Sequence, residues 1–226
     1  MKAKELLPRI KKYVLGTNWM KTLRINFHYF PLKKAVRLPI LVSNRVVLQR
    51  LGGGVEIEGQ LTTGMLLLGY HNLGGHDKKG DRTVWQVDGI IKIRGKRIDI
   101  GRGSKLSIHG ILSLGDHFTI TGDSSIICRK YVGFGDDVLI SWEVLVMDTD
   151  FHTIVDNNER VLNYDKPIEV ANHVWIGCRS TILKGVRIPS DVVIAAGSII
   201  TGEIEEGRAI YASNQKKLKE HINWIR

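Results

Sequence analysis

From about residue 50 onward, the apolar positions of this chain keep a fixed period that is not helical. Val170, Ile176, Ile182, Ile188, Ile194 and Ile200 stand six residues apart, and four positions beyond each come Val174, Ser180, Val186, Val192, Ser198 and Ile204. The second column is mostly small or β-branched. A six-residue period is a signature of parallel β-helices, in which each hexad points one aliphatic residue inward and three hexads close one triangular coil. Gly177, Gly185 and Gly197 ease the corners.

Upstream the period persists less strictly. Phe134, Ile140 and Val146 keep one phase, and Leu114, Ile120 and Ile126 another, with a two-residue slip between them. Ile98, Ile100, Leu106 and Ile108 continue the pattern, and Val55-Glu56-Ile57 and Ile91-Lys92-Ile93 read as irregular first coils. Between Thr149 and Glu169 the repeat stops. That polar segment carries Pro167 and is bracketed by regular coils, so it is expected to leave the helix as a loop over 149–169, and such excursions from a rigid scaffold often carry function.

Before residue 50 the pattern is different. Leu6, Leu7, Ile10, Val14 and Leu15 recur at helical spacing with Lys4, Arg9, Lys11 and Lys12 opposite, and Gly16 is a natural stop. A basic, aromatic stretch follows (Trp19, Phe27, Tyr29, Phe30), broken by Pro31 and Pro39. The expected organisation is a basic helical arm over 1–50, a hexapeptide-repeat β-helix over 51–205 and a helical tail over 206–226. Gly52-Gly53-Gly54 lacks a following Lys-Ser/Thr and marks a hinge rather than a phosphate loop.

Composition sharpens this division. The 226 residues include 27 Ile, 19 Val and 24 Gly, which suits strands and frequent turns. The formal charge is +10, but residues 1–50 hold twelve cations and a single acid, Glu5, so the remainder is close to neutral. A protein that coats nucleic acid would spread its surplus over the folded body, which excludes that class. Two cysteines, Cys128 and Cys178, make no disulfide framework and read as reduced thiols of a cytoplasmic protein. Apolar runs stop at four or five residues, too short to cross a bilayer, and the N-terminus lacks the apolar core of a secretory signal.

The segment Met147-Asp148-Thr149-Asp150-Phe151-His152, the loop, Pro167-Ile168, His173-Val174-Trp175-Ile176-Gly177 and Ile194-Ala195-Ala196-Gly197-Ser198-Ile199-Ile200-Thr201 together resemble the hexapeptide-repeat acyltransferases. The likeness covers roughly residues 95–220 and is strongest to bacterial sugar and polysaccharide O-acetyltransferases. It implies a mainly β fold: a left-handed parallel β-helix, here with an N-terminal helical arm and a short C-terminal helix. It also implies acetyl-CoA as acyl donor, no metal, a homotrimer with sites between adjacent subunits, and a glycan or lipid-linked sugar as acceptor.

By the same resemblance His152 is the catalytic base. An imidazole titrates near neutrality and can take the proton of a sugar hydroxyl as it attacks a thioester. Asp148, Asp150 and Trp142 are candidates for acceptor binding. Trp175, Cys178, Ala196 and Thr201 match the path of CoA, and Lys216 and Lys217 could meet its phosphates. Two departures stand out: Gly202 replaces a frequent Lys, and Gln215 replaces a frequent Pro. A zinc site built on His117 and His152 would lack its third imidazole, since Asn157 and Asn158 stand where it should be. Acetylation of an amine remains open, as does a non-catalytic β-helix whose basic arm touches a membrane surface from the cytoplasmic side.

Overall fold

The structure is a computed structural model that describes residues 15–225 apart from 72 and 75–79. Most of the helix expected around residues 6–15 therefore lies outside the described residues. From residue 40 on, the described residues wind as a left-handed parallel β-helix of three sheets with nine, seven and six strands. Up to Ile199–Ile200 successive strands visit sheets 1, 2 and 3 in turn, and among the described residues every ladder between strands is parallel except the last.

The hexad residues stack as continuous columns inside the prism. In sheet 1, Val42, Leu68, Ile100, Ile120, Ile140, Ile176, Ile194 and Tyr211 sit in register on consecutive coils. Each is at most 5% exposed, so the core is one column rather than a set of local clusters. Sheets 2 and 3 repeat the arrangement with Trp85, Leu106, Ile126, Val146, Ile182 and Ile200, and with Ile93, Leu114, Phe134, Val170 and Ile188. The phase slip has a plain cause. Ile98 pairs with Phe118 and Thr119 with Leu139, which is 20 residues per coil, whereas Trp175 pairs with Val193, which is 18.

Corners are built from backbone-binding side chains. Where sheet 3 turns into sheet 1, His117, Asp137, His173 and Asp191 adopt left-handed φ of 53, 56, 55 and 63°. The preceding residues offset that strain. Asp136 Oδ1 accepts from Asp116 N–H (2.7 Å) and Asn172 Oδ1 from Asp136 N–H (2.8 Å), each side chain holding the coil before it. At the corner from sheet 2 to sheet 3, coils approach so closely that a Cβ on Gly110 would lie 2.4 Å from Lys130 O.

Two boundaries differ from the sequence expectation. The β-helix begins at β1, Ile40–Val42, ten residues before the change in composition. Its exposed edge is covered by α1 (Trp19–Tyr29), whose following turn α2 spans Leu32–Ala35. Asn26 is fully buried; its Nδ2 donates to Ile40 O (2.7 Å) and its Oδ1 accepts from Ile40 N–H (3.1 Å). Thr22 Oγ1 accepts from Val42 N–H (3.1 Å), and Asn18 N–H donates to Val42 O (2.7 Å). At the other end, 206–226 is not a helical tail. Ala209–Ala212 and Lys216–Glu220 form an antiparallel pair joined by a 3-10 turn at Ser213–Gln215. The strand 209–212 would otherwise present an open edge, and pairing satisfies it, overriding helical propensity.

Asn26 is thus expected to hold the edge of the fold. Asn26→Ala strands the N–H and C=O of Ile40 and should cost about 3 kcal/mol in urea unfolding, with Thr22→Val costing about 1 kcal/mol. A loss under about 1 kcal/mol for Asn26→Ala would show that the edge is held by other contacts.

Candidate active site

The excursion leaves the β-helix at the corner between sheets 2 and 3, after Leu145–Met147 and before Ile168–Val170. Where the chain departs, the N–H groups of Arg129, Lys130 and Tyr131 lose the coil that would have covered them. Asp148 takes that place. Its carboxylate accepts all three, at 2.7, 2.8 and 2.9 Å, and the residue is fully buried. Asp148 was expected at the acceptor; it serves the backbone instead, because its oxygens are saturated and out of reach of solvent.

Beyond it the loop is pinned by Asn163, which the sequence reading missed. Asn163 Oδ1 accepts from Ile154 N–H (2.7 Å), and its Nδ2 donates to His152 O and to Asp150 Oδ2 (both 2.8 Å). Lys184, from the next coil, donates to Asp150 Oδ2 and to Asn163 O. Asp150 accordingly holds its proton less tightly than an ordinary Asp, through the hydrogen bonds from Lys184 and Asn163. Its carboxylate ties the loop to the scaffold. Phe151, just before His152, sits at a φ of 62° and is half exposed. A left-handed aromatic residue is strained, and such strain is commonly kept at functional positions.

His152 is exposed, with its backbone N–H bonded to Asp150 O (2.7 Å). It borders a cleft of about 260 Å³ that Arg129, Thr149, Tyr164 and Asp165 also line. The loop carries further large apolar side chains in solvent: Ile154, Val155 and Leu162 are 49 to 62% exposed and Tyr164 is 66% exposed.

Several other candidates collect at a different corner, between sheets 1 and 2. Trp142 is half-buried there, its carbonyl accepting from Arg179 N–H (3.0 Å). Trp175 is 38% exposed and donates through Nε1 to Ser141 Oγ (3.0 Å). Cys178 and Ala196 lie one above the other, with Gly197 N–H donating to Cys178 O (2.8 Å). Cys128, by contrast, is fully buried, and burial together with the nearby Asp148 pushes its thiol up to about 12, so it is no nucleophile.

The remaining candidates are less free than their sequence positions suggest. Thr201 follows the sheet 2 strand Ile199–Ile200, but in the orientation that satisfies both groups the Gln215 side-chain carbonyl accepts from the N–H of Thr201 (2.7 Å) and of Gly202 (2.9 Å). The Gln that replaces a frequent Pro thus occupies the backbone donors expected to line the CoA groove. Lys217 is paired with Glu206 (2.7 Å) and Glu220 (2.9 Å), whose hydrogen bonds raise its pKa, while Lys216 is exposed. One chain therefore places His152 at one corner and Trp142, Trp175, Cys178 and Ala196 at another. Among the described residues no three His, Cys, Asp or Glu side chains are grouped to hold a metal ion.

No family model matches the chain. It is 32% identical over 128 residues to a galactoside O-acetyltransferase of Lactococcus lactis (strain IL1403), covering 56% of this chain and 55% of that protein. To a polysialic acid O-acetyltransferase of Escherichia coli O1:K1 / APEC it is 31% identical over 136 residues, covering 60% of this chain and 42% of that one. The chain thus spans about half the length of these curated relatives. Among solved structures, the polySia-specific acetyltransferase NeuO aligns over 83% of this chain and 79% of its own, with 22% identity and a TM-score of 0.51, which shows a shared fold.

Pinning of the loop is expected to fail in acid. Asp150 has a lowered folded pKa, so its contribution is complete above the ordinary Asp value of 3.8 and disappears as pH falls through the lowered one. Protection of residues 150–163 from hydrogen exchange, relative to the intrinsic rate at each pH, should fall below about pH 4, and Lys184→Met should produce the same loss of protection at pH 7. Unchanged exchange in Lys184→Met would remove Lys184 from this role.

Proposed function

We propose that this protein is an acetyl-CoA-dependent O-acetyltransferase that modifies a hydroxyl of a surface polysaccharide or its precursor. The observation that carries the reading is His152, exposed on a pinned loop that interrupts an otherwise continuous β-helix. Likeness to sugar O-acetyltransferases supports the chemistry.

In this mechanism His152 takes the proton of the acceptor hydroxyl as its oxygen attacks the thioester carbonyl. The tetrahedral oxyanion is stabilised by N–H donors, and its collapse expels the CoA thiolate, which receives the proton from His152. Holding hydroxyl, imidazole and thioester together supplies much of the rate. The fixed Asn163–His152 carbonyl contact serves that positioning. Acetyl-CoA is a substrate here, and Cys178 and Ala196 would border its pantetheine arm.

A homotrimer is supported by the separation of the two halves of the site. The loop corner and the Trp175 corner point in different directions within one chain. Apposing the loop of one subunit, with its exposed Phe151, Ile154, Leu162 and Tyr164, to the Trp175 corner of the next would complete the site and cover those apolar side chains.

The arm supports a location at a membrane surface. On α1, the stripe flanking the buried Thr22, Ile25 and Asn26 leaves Trp19, Met20, Leu23 and Phe27 between 46 and 84% exposed. Arg24, Lys33, Lys34 and Arg37 accompany this stripe without any acid between residues 15 and 50. An apolar stripe with an aromatic residue and surrounding cations fits an anionic membrane surface, where a lipid-linked glycan would be met.

Two measurements test these statements. His152→Ala should lower acetyl transfer to a glycan acceptor by about 10²–10⁴-fold with CoA binding retained, and wild-type turnover would remove His152 as the base. Full-length protein should sediment with vesicles containing phosphatidylglycerol but not with phosphatidylcholine alone, and Leu23→Glu/Phe27→Glu should abolish sedimentation. Equal recovery on both vesicles would dismiss the membrane role.

A further inference from the structure

In the first coils, the corner where sheet 3 turns into sheet 1 opens on a cleft of about 350 Å³ that the His152 chemistry does not use. Two cations, Lys96 and Arg97, line it side by side. Both are exposed, and neither enters an ion pair among the described residues. The backbone beneath them is fixed, because Asp116 Oδ1 accepts the N–H of Lys96 (2.8 Å) and of Arg97 (3.1 Å). Among the described residues no carboxylate lines this cleft, whereas Asp165 lines the one beside His152. An unpaired ammonium next to an unpaired guanidinium repels it and favours a group that carries two or more negative charges.

The rest of the lining narrows the chemistry. The Thr62 hydroxyl can donate to the same anion. Thr63 Oγ1 donates to Arg37 O (2.7 Å), which brings the backbone of a third cation to the rim. The remaining wall is apolar: Leu41 and Leu67 are partners in the first ladder of sheet 1, and Met65 lies beside them. In the chain leading to Arg37, Leu32 and Val36 are 67 and 59% exposed. Cations and a hydroxyl at one side of a cleft, with aliphatic side chains at the other, fit an anion that carries a hydrocarbon chain. The volume lies within the range of pockets that hold small ligands.

We propose that this cleft binds an alkyl diphosphate, with Lys96 and Arg97 on the phosphates and the first carbons of the chain over Leu41 and Leu67. It is separate from both halves of the site described above. Leu67 and Trp175 stand in one outward column of sheet 1 with Asp99, Thr119 and Leu139 between them, roughly 19 Å apart at the usual strand spacing. The cleft also lies at the corner between sheets 3 and 1, which the apposition of loop and Trp175 corner does not use. It opens instead near the end of the solenoid that α1 covers, where an acyl chain would emerge from a membrane. The inference deepens the function proposed above and rests on it for the sugar end of the ligand: the diphosphate would anchor the lipid end of an acceptor and raise the effective concentration of its glycan at the catalytic loop.

Isothermal titration calorimetry of the full chain with farnesyl diphosphate, inorganic diphosphate and dihexanoylphosphatidylglycerol, each below its micelle concentration, tests it without any acetyl transfer. Saturable binding of farnesyl diphosphate is expected, about tenfold tighter than that of inorganic diphosphate, which has no chain to bury. Lys96→Gln/Arg97→Gln should weaken it roughly tenfold or more, and both side chains are exposed, so the variant keeps the fold. Thr62→Val should weaken it several-fold and gives a second readout at the same cleft. The phosphodiester of dihexanoylphosphatidylglycerol, with a single charge, should bind more weakly, and CoA should not displace farnesyl diphosphate. No saturable binding of farnesyl diphosphate would overturn the proposal, as would wild-type affinity in either variant. Equal affinity for inorganic diphosphate, equal or tighter binding of dihexanoylphosphatidylglycerol, or displacement by CoA would overturn it too. Farnesyl diphosphate binding without acetyl transfer would sink only the enzymatic reading, and acetyl transfer to a soluble glycan without farnesyl diphosphate binding would sink only this subsite.

Discussion

A stack of parallel coils satisfies its backbone only from within, so the first and last strands of each sheet determine whether the stack is closed. Every interior strand of sheet 1 gives its N–H and C=O groups to neighbours on both sides. β1 has a neighbour on one side alone, and its outer groups face Asn26, Thr22 and Asn18 rather than water. A helix that caps a strand edge needs side chains that both donate and accept at the spacing of alternate strand residues. One Asn does so for Ile40 and one Thr with one backbone amide for Val42. Ile25, Phe30 and Ala35 follow them into the end of the hydrophobic column. At the far end the antiparallel strand Lys216–Glu220 closes sheet 1, and Trp224 stacks on His173 at 4.4 Å, returning its indole N–H to His173 O.

The same constraint explains the excursion. Leaving the coil at residue 148 opens a gap in a ladder that must still be filled, and Asp148 fills it from within the prism. An acid next to a candidate catalytic loop therefore belongs to the scaffold, while its neighbour two residues on faces outward and anchors the loop through Lys184 and Asn163. Rigidity passes from the core to His152 through these contacts. A loop of this length would otherwise sample many positions, and base catalysis needs one.

Much of the fold was legible because burial in a β-helix is written in the sequence at short range. Six consecutive aliphatic residues at the hexad position became six consecutive buried ladder residues, and the break at 149–169 became the loop. What escaped was everything that depends on contacts between remote segments. Asn26 carries no periodic signal, since its value comes from Ile40, fourteen residues away. The tail 206–226 read as helical, and only the open edge of Ala209–Ala212 makes Lys216–Glu220 a strand. At the candidate site, the placement of His152 on the interrupting loop was legible from its motif. Asn163 and Lys184 were not, because both act through the three-dimensional proximity of a loop residue and the following coil. Gln215 is intermediate: its departure from the family pattern was visible, but its hold on Thr201 and Gly202 was not.

Charge completes the separation of roles. The β-helix needs no net charge, and its body is close to neutral, so the cations of residues 1–50 are not there to fold it. α1 nevertheless uses one stripe to close the solenoid and leaves a neighbouring stripe apolar and exposed. Capping and docking fall on neighbouring stripes of a single helix. They are compatible because Thr22, Ile25 and Asn26 bury one stripe while Trp19, Met20, Leu23 and Phe27 occupy the other. Substitutions on the outer stripe consequently change what the protein touches without opening the edge that Asn26 seals, whereas substitutions on the inner one unseat the first coil and the outer face with it.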